Sequence, residues 1–266
     1  MMDVIQHLII DGRQLEYVWY GPAPEAAPTL VFLHEGLGCL DLWRDFPARL
    51  AGATGCGALV YSRFGYGRSD PCRLPRPIRF LHDEGQAILP DVLRLAGVRQ
   101  CILVGHSDGG SIAIIYAGGM TAVPLLGLIT ESPHVICEEK TVTSIRSIKD
   151  VFQNGNLRRR LYKYHGENTD CAFWGWNDVW LHPDFRDWNI EEYVPRIEVP
   201  MLVIQGANDQ YGTLAQVDSI RGRAKTTLEV LILPDCGHNP HQEQEAAVFQ
   251  AMQDFVARIK NQAQSI

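Results

Sequence analysis

The stretch Cys101–Gly118, CILVGHSDGGSIAIIYAG, carries an apolar run straight into Gly105-His106-Ser107-Asp108-Gly109, and a second apolar run follows at once. The first run has the length of a buried strand and the second has the length of a helix. A chain that only had to reverse would use a longer, more polar connection. The Gly105-x-Ser107-x-Gly109 spacing fits a nucleophile elbow, a strained strand-to-helix turn that lifts a serine hydroxyl above the end of a sheet. Glycines two before and two after the serine remove the Cβ atoms that would collide where strand and helix cross. The turn also points the first N–H groups of the helix, its positive end, at the space beside the hydroxyl.

Composition agrees with a large single-core enzyme. The chain has 266 residues, 46% of them hydrophobic, which is enough for one domain with a sizeable core. A formal charge of -7 disfavours nucleic acid or an anionic membrane as the main partner. No apolar run approaches the ~18 to 20 residues that span a bilayer. The opening, MMDVIQHLIIDGRQLEYVWYG, reads as two strands around Asp11-Gly12 rather than as a signal peptide. Seven scattered cysteines without a C-x-x-C pair suggest reduced thiols in a cytoplasmic protein and no zinc site.

Working outward from the elbow, strand and helix patterns alternate. Apolar runs at Thr29–His34, Ala58–Tyr61, Cys101–Val104, Leu125–Thr130, Met201–Gln205 and Thr227–Leu233 are separated by helical patterns at about 41–53, 82–96, 109–120, 212–222 and 241–261. Such alternation predicts βαβ units and a mostly parallel sheet with helices on both faces, the first hairpin at one edge. From about Val135 to Tyr193 no clear strand appears, and four of the six tryptophans, Trp174, Trp176, Trp180 and Trp188, fall there. A connection of that length is too long for a plain loop. The expectation is a helical cap at 135–193, inserted after the sixth strand into a core formed by 1–134 and 194–266. Its aromatics, Trp174, Trp176 and Trp180 among them, either form the cap's own small core or line an apolar substrate pocket.

A serine needs a base, and the base needs an orienting acid. The order Ser, acid, His, each just after a strand, is met by Ser107, by Asp209 after Met201–Gln205, and by His238 after Thr227–Leu233. All three would lie at carboxyl ends of parallel strands, where open α/β sheets bind ligands. Among the other histidines, His106 sits inside the elbow and should point away from the nucleophile. His241 falls at a helix start. His82, His165 and His182 lack a strand-end position, and His34 precedes the serine and should order its own loop. Asp235 is too close to His238 in sequence to reach its Nδ1. The oxyanion donors would be the N–H of Asp108 and an N–H from the loop His34-Glu35-Gly36-Leu37-Gly38.

The segments LVFLHEGLG, YSRFGYGRSD, GHSDGG, LVIQGAND and CGHNPH, spread over nearly the whole chain, resemble the α/β-hydrolase superfamily, and most closely its capped bacterial serine esterases. The resemblance implies an α/β fold, a catalytic triad of Ser107, Asp209 and His238, and Gly36 N–H as the second oxyanion donor. One departure is Glu35, where the family usually has glycine after the histidine. It makes Glu35 N–H a neighbouring candidate donor and puts a carboxylate near the mouth of the site. Ser107 disfavours dehalogenase and epoxide-hydrolase chemistry, which use an aspartate there. The expected activity is hydrolysis of small to medium, largely apolar carboxylic esters, with no metal or organic cofactor. Amino-ester or amide hydrolysis, lactone opening, C–C bond cleavage and a non-catalytic ligand-binding role are the alternatives. Glu35 and Asp108 bear on the first of these, since acidic groups beside the nucleophile can hold a substrate ammonium. The expected role of Asp108, however, is a favourable charge in the first turn of a helix.

Overall fold

The computed structural model describes residues 4–263. Eight strands form one sheet: β1 (Gln6–Ile10), β2 (Arg13–Tyr20), β3 (Thr29–Leu33), β4 (Gly57–Tyr61), β5 (Cys101–His106), β6 (Leu125–Glu131), β7 (Met201–Gly206) and β8 (Leu228–Leu233). Their order is β1-β2-β4-β3-β5-β6-β7-β8. The β1–β2 hairpin occupies one edge and pairs antiparallel with β4, and the remaining pairs are parallel. The helices are α1 (Phe46–Thr54), α2 (Phe80–Asp83), α3 (Leu89–Leu95), α4 (Asp108–Ala117), α5 (Glu139–Asn154), α6 (Leu157–His165), α7 (Thr169–Trp180), α8 (Leu214–Arg223), α9 (Pro240–Glu243) and α10 (Glu245–Ala263). A π-helical turn, Glu84–Ile88, joins α2 to α3, so the pattern expected at 82–96 is one continuous helical run with a bulge. Among the described residues no helix is long and apolar enough to cross a membrane.

The parallel strands read as unbroken apolar runs because both faces of the sheet are covered. Along β3 and β5 the side chains alternate. Val31, Leu33 and Leu103 enter one core with α3 and α4, while Leu30, Phe32, Ile102 and Val104 enter the other with α1 and α10. Helix α4 is buried along its whole length, which explains why its sequence is apolar on every side. Helix α10 buries Val248, Met252, Phe255, Val256 and Ile259, a stripe at helical spacing. Each such side chain contributes about 1.5–3 kcal/mol by leaving water.

The segment between β6 and β7 is helical. Apart from an isolated bridge between Ile136 and Asn189, it consists of α5, α6, α7 and short 3₁₀ turns. Its interior is aromatic: Phe152 stacks on Phe173 at 3.6 Å, and Trp180, Phe185 and Trp188 pack together. Helices α5 and α7 bring Thr141, Ile145, Trp176 and Trp180 over the carboxyl edge of the sheet, where they face Ser107.

Candidate active site

Ser107 follows β5 directly and adopts φ 53°, ψ -117°, a strained backbone for a residue with a side chain. Its N–H donates to Glu131 O at 2.9 Å, which ties the corner to the end of β6. The flanking glycines are required by close approach. A Cβ on Gly105 would stand 2.3 Å from Gly109 O, and one on Gly109 would stand 2.0 Å from Leu33 O. Strain of about 1–3 kcal/mol in the turn is therefore held in place by packing on both sides.

Two further strand ends bring their side chains to this corner. His238 lies beyond β8, with Nε2 2.9 Å from Ser107 Oγ and Nδ1 2.8 Å from Asp209 Oδ2. These contacts fit Nδ1–H donating to the carboxylate while Nε2 accepts from the hydroxyl. Asp209 lies beyond β7 and accepts three further N–H bonds, from Gln205 Nε2, Tyr211 N and Gly212 N. Burial alone would raise its pKa. The bond to His238, the charge of that ring and the Tyr211 N–H prevail, so the carboxyl is held well below its usual range. Asp235, at φ 52° in the preceding turn, makes no part of this chain of bonds.

A cavity of about 130 Å³ opens beside Ser107, walled by Glu35, Gly36 and Leu37 on one side and by Trp176 and Trp180 on the other. A designed apolar cavity of about 150 Å³ holds benzene, so this one suits a group of a few carbons. Trp176 lies across the backbone of Gly36, with its Nε1 2.2 Å from where a Cβ would be, so only glycine fits. The N–H of Asp108, in the first turn of α4, has no intrahelical acceptor. Asp108 and Gly36 thus border the same space as the hydroxyl. Trp174 does not border it: its ring packs edge-on against Phe152 and Phe173, with Lys149 above.

The two carboxylates at the cavity differ. Glu35 lies 3.6 Å from His106 Nδ1, an ion pair longer than a hydrogen bond. Burial opposes charge on both, but their mutual attraction lowers the Glu35 pKa and raises that of His106 to about 9. His106 Nε2 in turn donates to the backbone O of His238 at 2.7 Å. It therefore points away from Ser107, as expected, and supports the loop that carries His238. Asp108 has no such cation at contact distance. Trp180 Nε1–H donates to its Oδ1 at 3.1 Å, and its buried Oδ2 has no partner among the described residues. Burial pushes its carboxyl up to about 6.

His34 orders its own loop: Nδ1 meets Glu35 O at 2.7 Å, and Nε2 accepts the Arg63 N–H. His241 falls in α9, where its N–H and Nδ1 both reach Glu131 Oε2, at 3.0 and 2.9 Å. Of the cavity residues that the sequence does not single out, Thr141, Ile145, Tyr211, Asn239 and His134, the last is a histidine. His134, just past β6, packs 5.1 Å from Trp180 and 5.8 Å from His238 by ring centroid. Burial lowers its pKa to about 3, so it is a neutral imidazole whose Nδ1 has no partner among the described residues. Its position after a strand, in Glu131-Ser132-Pro133-His134, was the available signal.

Comparison with known proteins gives the same fold. The chain is 25% identical over 266 residues to a proline iminopeptidase of Thermoplasma volcanium, an alignment covering 84% of this chain and 87% of that protein. It is 25% identical over 258 residues to 2-succinyl-6-hydroxy-2,4-cyclohexadiene-1-carboxylate synthase of an Enterobacter species, covering 88% and 94%. A solved structure described among novel epoxide hydrolases from metagenomes of hot environments superposes with a TM-score of 0.76 at 21% identity, covering 97% of this chain and 99% of that one. A profile of the Alpha/beta hydrolase family matches residues 30–251. With that match spanning most of its length, the chain belongs to the alpha/beta hydrolase family.

Proposed function

We propose that the protein is a serine hydrolase that cleaves small carboxylic esters through an acyl-enzyme on Ser107. The observation that carries this reading is the continuous chain Asp209–His238–Ser107, with contacts of 2.8 and 2.9 Å, opening onto a small cavity. Ser107 Oγ attacks the ester carbonyl as His238 Nε2 takes its proton. Asp209 holds the reactive tautomer and stabilises the imidazolium. The N–H groups of Asp108 and Gly36 stabilise the oxyanion. His238 then protonates the departing alcohol, and a water activated by the same nitrogen releases the acid. Residues 135–193 act as a cap that narrows the acyl side with Trp176 and Trp180, so a butyrate ester should outperform acetate. Each extra buried methylene adds up to about 0.8 kcal/mol of transition-state binding.

Ser107→Ala tests the assignment. It should lower kcat on p-nitrophenyl butyrate by several orders of magnitude with the fold intact, and a fluorophosphonate should no longer label the protein. An active Ser107→Ala enzyme, or labelling at another residue, overturns it.

A second reading, hydrolysis of amino-acid esters or amides, draws support from Asp108. Asp108 borders the cavity, and its buried Oδ2, unpartnered among the described residues, is left for a substrate ammonium. The similarity to a proline iminopeptidase points the same way. Glu35 is the weaker candidate for that contact, because His106 already neutralises it.

A further inference from the structure

Two cysteines far apart in sequence meet where the helical segment touches the core. Cys72, in the loop after β4, and Cys171, in the first turn of α7, place their sulfurs 2.7 Å apart. Cys171 Sγ also accepts the Cys72 N–H at 3.3 Å. The guanidinium of Arg76 converges on the same point. A Cβ on Gly65 would lie 2.8 Å from Arg76 Nη2, from Cys171 Sγ and from Cys72 Sγ alike. Arg76 is buried and anchored by a bond from Nη2 to Phe64 O, and its Nε has no partner among the described residues.

We propose that Cys72 and Cys171 form a redox-active dithiol, a modification site that peroxides oxidise to a disulfide joining α7 to the loop after β4. The local chemistry favours a thiolate at Cys171. The Cys72 N–H donates to it, Arg76 supplies positive charge, and the first turn of a helix adds the positive end of its dipole. The contact between the two sulfurs is the largest cause of a Cys171 thiol lowered below its usual range, while Cys72 itself is pushed up. The Cys171 thiolate attacks one peroxide oxygen, the O–O bond breaks, and hydroxide leaves to become water. The resulting sulfenic acid is attacked by the Cys72 sulfur, which gives up its proton as the second hydroxide departs. For hydrogen peroxide the sum is two thiols and one peroxide giving one disulfide and two waters. A low-molecular-weight thiol reverses it. The bond would fix the start of the helix that carries Trp176 and Trp180 into the cavity.

The remaining cysteines supply internal controls. Cys39, Cys56, Cys101 and Cys236 are buried, and Cys137 is half-exposed but has its thiol pushed up by burial. The test is peptide mapping by mass spectrometry of the full chain, reduced and then exposed to hydrogen peroxide at neutral pH. A Cys72–Cys171 linked peptide should dominate, with Cys171 reacting at least about tenfold faster than Cys137. In Cys72→Ser, Cys171 should stop at the sulfenic acid and be trapped by dimedone. If Cys171 reacts no faster than Cys137, or if the linked peptide is no commoner than other cysteine pairings, the proposal is overturned. The wild-type mapping decides this even if the variant fails to fold.

Discussion

Two buried histidine–carboxylate pairs flank His106. Asp209–His238 and Glu131–His241 close at 2.8 and 2.9 Å, both through Nδ1. Each carboxylate follows or ends a parallel strand, and each histidine follows β8. What separates them is where the far nitrogen goes. His238 Nε2 reaches Ser107 Oγ, whereas the His241 ring stacks on Trp43 at 4.7 Å between centroids. Its Nε2 meets Gln242 Nε2 at 3.5 Å. The same chemical pair is thus a candidate for catalysis in one place and a brace in the other. Residue type and spacing alone do not distinguish them. His106, 5.2 Å by ring centroid from both His238 and His241, lies between the pairs and holds the His238 loop by its carbonyl.

Breaking the first pair should have the largest kinetic effect. Asp209→Asn leaves the shape but favours the wrong His238 tautomer, and kcat should fall by roughly 10³- to 10⁴-fold. A loss under tenfold would remove Asp209 from the site. Breaking the second pair should act on stability instead. Glu131 is held below its usual range: burial opposes this, and the charge and bonds of His241 prevail. A carboxyl lowered on folding stabilises the fold above its unfolded pKa of about 4.3, and that contribution is lost as pH falls through the lower folded value. Glu131→Gln should therefore cost about 2–4 kcal/mol at neutral pH and several degrees in Tm, with kcat within a few-fold of wild type. Denaturant and thermal melts beside steady-state rates would measure both. A stable but inactive Glu131→Gln would make the second pair catalytic.

The smallest expected effect concerns Asp108. Its carboxyl is raised by burial to about 6 from an unfolded value near 3.9, so it charges in the native protein only as pH rises through about 6. If it receives a substrate ammonium, kcat/KM for an aminobutyrate ester should gain on the matched butyrate ester across that interval. The gain should reach about tenfold, or ~1.4 kcal/mol, and Asp108→Asn should abolish it. For neutral esters as the natural class, the ratio stays flat with pH and below one.

The sequence reads most clearly where one element determines its own environment. Strands β3, β5 and β7 are apolar on both faces because helices cover both faces, and their ends place Ser107 and Asp209 without knowledge of any distant contact. The elbow is legible because Gly105 answers a clash with Gly109 inside the turn itself, while Gly109 makes room for Leu33 on the neighbouring strand. What depended on distant partners was hidden. Trp180 bonds Asp108 across 72 positions, His241 meets Glu131 across 110, and Cys171 meets Cys72 across 99. The helical character of 139–180 showed in its length and composition. That Trp176 and Trp180 would turn to the cavity while Trp174 turned to Phe173 was set by packing among α5, α6 and α7.

The difference between the two pairs is tested most directly by the rate at which a fluorophosphonate labels Ser107, since that rate reports serine activation without turnover. Measured at one neutral pH on wild type, Asp209→Asn and Glu131→Gln, labelling should slow at least about 100-fold in Asp209→Asn and stay within about threefold of wild type in Glu131→Gln. Equal slowing in both variants, or slowing only in Glu131→Gln, would contradict the assignment of Asp209–His238 as the pair that activates Ser107.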